Sequence, residues 1–122
     1  MTKPFVDPPM GPAPSELVIT DLVVGEGPTA EFGNQVEVHY VGVSWSTGEQ
    51  FDASWDRGDT FRFPLGAGHV IQGWDKGVVG MKVGGQRRLE IPADLGYGDR
   101  GAPPVIKGGE TLIFIVDLLG VR

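Results

Sequence analysis

The chain has 122 residues, no cysteine, 16 acidic and 10 basic side chains and a formal net charge of −6, a size that fits one domain. The missing thiols exclude a disulfide framework, a thiolate metal site and a cysteine nucleophile, and are compatible with a reducing compartment. The acidic balance, with no basic cluster beyond Arg87-Arg88, argues against a nucleic-acid partner, whose affinity rests on concentrated positive charge.

Five of the ten prolines fall in the first fourteen residues, where they remove backbone donors and fix φ. Residues 1–15 therefore read as a mobile or loosely docked tail preceding a domain at 16–122. The tail lacks the basic segment and apolar run of about 7–15 residues that mark a secretory signal. No stretch approaches the about 18–20 apolar residues of a membrane span. A soluble, cytoplasmic monomer without membrane or nucleic-acid contacts is the expectation.

From Glu16 the run ELVITDLVVG is dominated by β-branched and aliphatic residues up to Gly25 and reads as a first strand. In QVEVHYVGVS, Val36, Val38, Tyr40 and Gly42 alternate with Glu37, His39 and Val41, the period of a strand with one buried face. Weaker strands are expected near Phe51–Ser54, Phe61–Pro64 and Gln86–Pro92. Between the last two, Ile71, Trp74, Val78 and Met81 form an apolar stripe at helical spacing, three turns long. Gly73, Gly77 and Gly80 interrupt it, each costing about 1 kcal/mol against alanine, so this helix needs tertiary support. TLIFIVDLLGV near the end is almost continuously apolar and reads as a central strand covered on both faces. Several strands with one short helix make an α+β domain, the helix lying across the concave face of an antiparallel sheet.

Acid–base or nucleophilic catalysis finds little support in the residues. His39 points by alternation away from the Val36/Val38/Tyr40 face and reads as a solvated strand histidine. His69 follows LGAG in a loop with no serine or acid partner nearby. The acids are dispersed, and Asp52, Asp56 and Asp59 have the wrong spacing for a calcium loop; a pairing of Asp56 with Arg57 that braces the loop is the simpler reading. No metal site is expected. The rings are more informative: Tyr40, Phe51, Phe61, Phe63, Trp74, Tyr97 and Phe114 lie on different elements. Their inward positions, with polar tips on Tyr97 and Asp52, would suit a small apolar group.

The ordered motifs VHYVG, FDAS, FPLGAGHVIQGWDKGV, MKVGG, DLGYG and LIFIVDLL closely resemble the FKBP-type peptidyl-prolyl cis-trans isomerases, over roughly Val36 to Val121. The resemblance implies a five- to six-stranded antiparallel sheet wrapped around one short helix, with a pocket for a prolyl ring between them. It places Tyr40, Phe51, Asp52, Arg57, Phe61, Val70, Ile71, Trp74, Tyr97, Ile106 and Phe114 around that pocket, Trp74 as its floor. It further implies that the Ile71 backbone N–H and the Tyr97 hydroxyl donate to ligand carbonyls, and that the Asp52 carboxylate lies near the twisting amide. Tyr40, Asp52, Tyr97 and Phe114 are the residues it makes catalytic. Proline-containing client segments and macrolides such as rapamycin are the implied ligands, and no cofactor is implied. The loop GDRGAPPVIKGG departs from the familiar pattern, with Ala102 in place of a histidine and Lys107 in place of a frequent proline; His69 and Val105 are rim positions with peripheral contacts. The rival reading is an FKBP-like binding module with little isomerase activity.

Overall fold

The computed structural model describes residues 2–7, 9 and 11–122; Met1, Pro8 and Met10 of the expected tail lie outside the described residues. Six strands and two short helices follow in order: β1 (Val18–Val23), β2 (Gln35–Ser44), β3 (Gln50–Ala53), α1 (Ser54–Arg57), β4 (Phe61–Pro64), α2 (Gln72–Gly77), β5 (Gln86–Ile91) and β6 (Leu112–Val121). The strands form one antiparallel sheet in the order β1-β5-β6-β2-β3, with β4 paired to β2 beside β3. Every strand expected from the sequence is present. No helix among the described residues is long and apolar enough to cross a membrane.

The two long strands show how pattern becomes packing. On β2, Val36, Val38 and Tyr40 face the core with exposures of 0, 0 and 7 %. On β6, Leu112 to Leu118 are all buried because β5 and β2 flank the strand and both faces are covered. Each fully buried aliphatic side chain of this kind contributes about 1.5–3 kcal/mol. β1 is different: it pairs on one side only, with β5, its register shifts after Asp21, and all six residues are exposed. An irregular edge of this sort resists pairing with other chains.

The helix is shorter than the stripe suggests. Trp74, Val78 and Met81 are buried as expected, but α2 stops at Gly77 after six residues. Gly80 then takes φ +89°, a conformation glycine adopts without steric cost. The chain turns to pair with the segment before β2, through Gly80 N–H to the Ala30 carbonyl at 2.8 Å and Ala30 N–H to the Met81 carbonyl at 2.7 Å. Arg87 on β5 caps this corner, its Nη1 donating to the carbonyls of Gly77 and Val79 at 2.9 and 2.8 Å. A second helix, α1, was not expected; it is a single turn closed by Gly58 in the left-handed region.

The helix glycines answer to the sheet. A Cβ on Gly73 would meet Ile91 Cγ2 at 2.5 Å, and one on Gly77 would meet Leu89 Cδ2 at 2.8 Å. Both partners on β5 are 0 % exposed. Gly73→Ala is therefore expected to destabilise: the gain in helix propensity is about 1 kcal/mol, whereas overpacking costs about 1–3 kcal/mol and the neighbours have no solvent to move into. Urea unfolding checks the sign; a variant more stable than the parent would mean that α2 does not press on β5 as described.

The outer face of the sheet carries part of the N-terminal segment. Lys3 Nζ donates to Asp56 Oδ1 at 2.8 Å, and Pro4 to Val6 border one depression with Val41 and Val43 of β2. Further along, Arg88 reaches the Asp7 carbonyl at 3.4 Å. Also on this face, Asp117 of β6 lies opposite His39 and is only 7 % exposed. Its Oδ1 accepts from Gln86 Nε2 at 3.0 Å, while Oδ2 has no donor among the described residues. Burial pushes the Asp117 carboxyl up, the Gln86 bond and the nearby His39 partly opposing it. The folded state thus holds this proton more tightly than the unfolded chain. Between the raised value and the ordinary carboxylate value of about 3.9, native protein binds more protons and gains stability as pH falls. Relative to Asp117→Asn, the parent is expected to become more stable as pH drops from about 7 to about 4. Urea unfolding at both pH values tests this; a difference that stays constant would contradict it.

Candidate functional site

The concave side of the sheet, α2 and the loop after β5 enclose a cavity of about 440 Å³. Its wall is aromatic: Tyr40 comes from β2, Phe51 from β3, Phe61 from β4, Phe114 from β6 and Tyr97 from the loop. Trp74, on the buried side of α2, sits among them at 4.9 Å from Tyr40, 5.2 Å from Phe114, 5.5 Å from Phe63 and 5.9 Å from Phe61 between ring centroids. Three of these pairs are edge-to-face, an arrangement worth about 0.5–1.5 kcal/mol beyond area burial. Gly42 makes this possible, since a Cβ there would lie 2.7 Å from both the Phe114 and Phe51 rings.

One edge of the cavity is charged. The Tyr40 hydroxyl donates to Asp52 Oδ2 at 2.6 Å, Arg57 Nη1 donates to Asp52 Oδ1 at 2.5 Å, and Arg57 Nη2 donates to the Tyr40 oxygen at 2.8 Å. Burial pushes the Tyr40 phenol up, assisted by its bond to Asp52; its bond to Tyr40 first, and that to Asp52 second, raise the Arg57 guanidinium. The Tyr97 hydroxyl is likewise raised, by burial and then by the Asp52 charge. Both phenols are therefore held as donors. The one carboxylate of this edge, Asp52, is already engaged by Tyr40 and Arg57.

Local structure positions each part. The single turn α1 swings Arg57 back over the Tyr40 ring, its guanidinium carbon 5.6 Å from the centroid. Ser54, 0 % exposed, ties that turn to β2: its Oγ accepts from the Tyr40 N–H at 2.7 Å and bonds His39 Nδ1 at 2.8 Å. On the opposite rim the Asp75 carboxylate accepts from the N–H groups of Gly66 and Gly68 at 2.8 and 3.0 Å, pinning the loop that presents His69, Val70 and Ile71. The Ile71 N–H has no acceptor among the described residues.

Most of the expected site residues come together here: Tyr40, Phe51, Asp52, Phe61, Val70, Ile71, Trp74, Tyr97 and Phe114 line the cavity. Two do not. Ile106, 3 % exposed, and Arg57, which bonds Asp52 and Tyr40, are absent from the lining. His69, expected only at the periphery, is part of the lining. Two readings are corrected. His39 does face outward but is only half solvated, because α1 folds Trp55 onto it in a stack with centroids 4.1 Å apart. Asp56 pairs with Lys3 and Gln50, leaving Arg57 to Asp52. The buried Trp74 N–H, unlike the Tyr40 hydroxyl, finds no acceptor among the described residues. Ser54 was missed; a serine after FDA gives no signal of burial until the β3–α1 corner is known.

Residues 27–119 match the family model of the FKBP-type peptidyl-prolyl cis-trans isomerases. The chain belongs to this family. It is 61 % identical over 120 residues to an FK506-binding protein of Streptomyces anulatus, covering 98 % of this chain and 97 % of that one. It is 54 % identical over 119 residues to a Corynebacterium glutamicum protein named "Probable FK506-binding protein", covering 98 % of each. The solved structure titled AtFKBP13 superimposes with a TM-score of 0.82 at 40 % identity, covering 90 % of this chain and 96 % of that one. The family is an enzyme class, and its reaction is rotation about X-Pro peptide bonds. That reaction accounts for a site rich in rings and poor in acid–base groups. Rotation breaks no covalent bond; what resists it is amide resonance, a barrier of about 18–20 kcal/mol.

Proposed function

We propose that the cavity seats the prolyl ring of a client segment on the Trp74 indole, with Tyr40, Phe51, Phe61 and Phe114 as walls. The observation that carries this reading is the aromatic enclosure itself, with its one carboxylate already occupied by Tyr40 and Arg57. A planar amide is strongly polar, and twisting reduces the polarity of its carbonyl and makes the nitrogen pyramidal. A dry pocket thus disfavours the planar state relative to the twisted one, and each 1.36 kcal/mol of that difference is about tenfold in rate. The unpaired Ile71 N–H and the Tyr97 hydroxyl hold the client carbonyls, and Asp52 lies beside the twisting bond. Uncatalysed rotation takes tens to hundreds of seconds, so orientation and dryness without covalent chemistry suffice.

The same pocket takes macrolides such as rapamycin, a reading supported by the names of the relatives. Residues 16–122 act as one isomerase domain preceded by the proline-rich segment. The protein works as a monomer on proline-containing segments of folding chains; the absence of cysteine fits a cytoplasmic setting. The test is a proline-tetrapeptide isomerisation assay with and without rapamycin. Catalysis abolished by stoichiometric rapamycin is expected. Tight rapamycin or partner binding without turnover would instead identify a binding module.

A further inference from the structure

A second cleft of about 420 Å³ opens beside the prolyl pocket and shares its Phe51 wall. We propose that it holds the residues flanking the proline of an extended client, so that the enzyme favours longer peptides over tetrapeptides; this rests on the prolyl pocket assigned above.

The cleft runs between the β2–β3 turn, which supplies Thr47 and Glu49, with Gln50 at the start of β3, and the loop before β6, which supplies Val105 and Lys107. Its two sides are locked together. The Glu110 carboxylate, 6 % exposed, accepts from the Ser46 hydroxyl at 2.6 Å and from the Ser46 N–H at 3.1 Å, and the Trp45 N–H donates to the Thr111 carbonyl at 2.9 Å. The opening is therefore built into the fold and does not depend on loop closure.

Three features fit an extended polypeptide. First, a client proline seated on Trp74 must continue as chain on either side, and the path across Phe51 leads into this cleft. Second, β3 is the terminal strand of the sheet, so the main-chain groups of its outer edge have no sheet partner among the described residues and can pair with an added strand. Third, the lip is mixed in character. Val105 is 60 % exposed, while Glu49 and Lys107 make no ion pair among the described residues. Apolar and charged flanking side chains of either sign therefore have a counterpart.

The experiment compares kcat/KM for a proline tetrapeptide and for a longer peptide extended on both sides of the same X-Pro core, by NMR exchange without a coupled protease. The parent is expected to favour the longer peptide about tenfold, mostly through KM, the signature of added ground-state and transition-state binding together. Thr47→Trp, which fills the cleft from the turn, should remove that gain while leaving tetrapeptide turnover unchanged; Glu49→Trp repeats the block from the neighbouring position and guards against a variant that folds poorly. Equal values for the two peptides in the parent, or a length gain that survives in both tryptophan variants, overturns the cleft. Failure of the parent to turn over either peptide overturns the prolyl pocket, and the cleft with it.

Discussion

Phe114→Ala is expected to lose about 3–5 kcal/mol of stability and to lower kcat/KM at least about tenfold. Phe114 lies on the central strand and is 3 % exposed. Its ring meets Trp74 at 5.2 Å, Phe51 at 5.5 Å and Tyr40 at 6.2 Å, so its removal takes an edge from three walls at once. The void cannot collapse readily, because β5 and β2 hold β6 on both sides. It also opens toward the cavity, where entering water would solvate the planar amide and weaken the preference for the twisted one. Urea unfolding gives the first quantity, and assay of the folded variant below its unfolding midpoint gives the second. A destabilised variant with parental kcat/KM would separate the core from the catalytic pocket and contradict the assignment.

The second large effect should be nearly opposite in form. Asp52→Val is expected to lower kcat/KM by about tenfold or more while changing stability by less than about 1 kcal/mol. The Asp52 and Arg57 side chains are 39 and 49 % exposed, and screened pairs of that kind add little to folding. Their importance is local. Without the carboxylate, the Tyr40 hydroxyl loses its acceptor at 2.6 Å, and the Arg57 charge stands unbalanced beside a pocket meant to favour a less polar amide. Steady-state kinetics and urea unfolding on the same preparation test the contrast. Parental kcat/KM would remove Asp52 from the mechanism.

How much of this was legible before the structure depends on the range of the interaction. The strict alternation of Val36, Val38 and Tyr40 and the apolar run around Phe114 describe β2 and β6 directly, because a strand's period is local. The α2 stripe identified three buried residues, Trp74, Val78 and Met81, with Ile71 only half-buried, and the wrong length. Past the end of the helix Gly80, at φ +89°, lets the chain turn back toward Ala30, a contact fifty residues away in sequence and invisible to a helical window. His39 was misjudged for a related reason, since alternation gives the face but not that Trp55 folds over it. The assembly of Tyr40, Asp52 and Arg57 came through family resemblance; no spacing rule brings those three together. The cleft beside Phe51 was not legible at all. It depends on Glu110 reaching Ser46 across sixty-four positions, and neither residue looks remarkable in its own segment.

The central claim is that the pocket speeds X-Pro rotation by shape, dryness and oriented donors, with no proton in flight and no covalent intermediate. The solvent deuterium isotope effect on kcat/KM for a proline peptide tests it most directly, because proton transfer in the transition state slows in heavy water while rotation about a bond does not. Rotation in the Trp74 pocket predicts a ratio of about 1. A ratio of about 2 or more would mean that a side chain moves a proton in the rate-limiting step, and would contradict it.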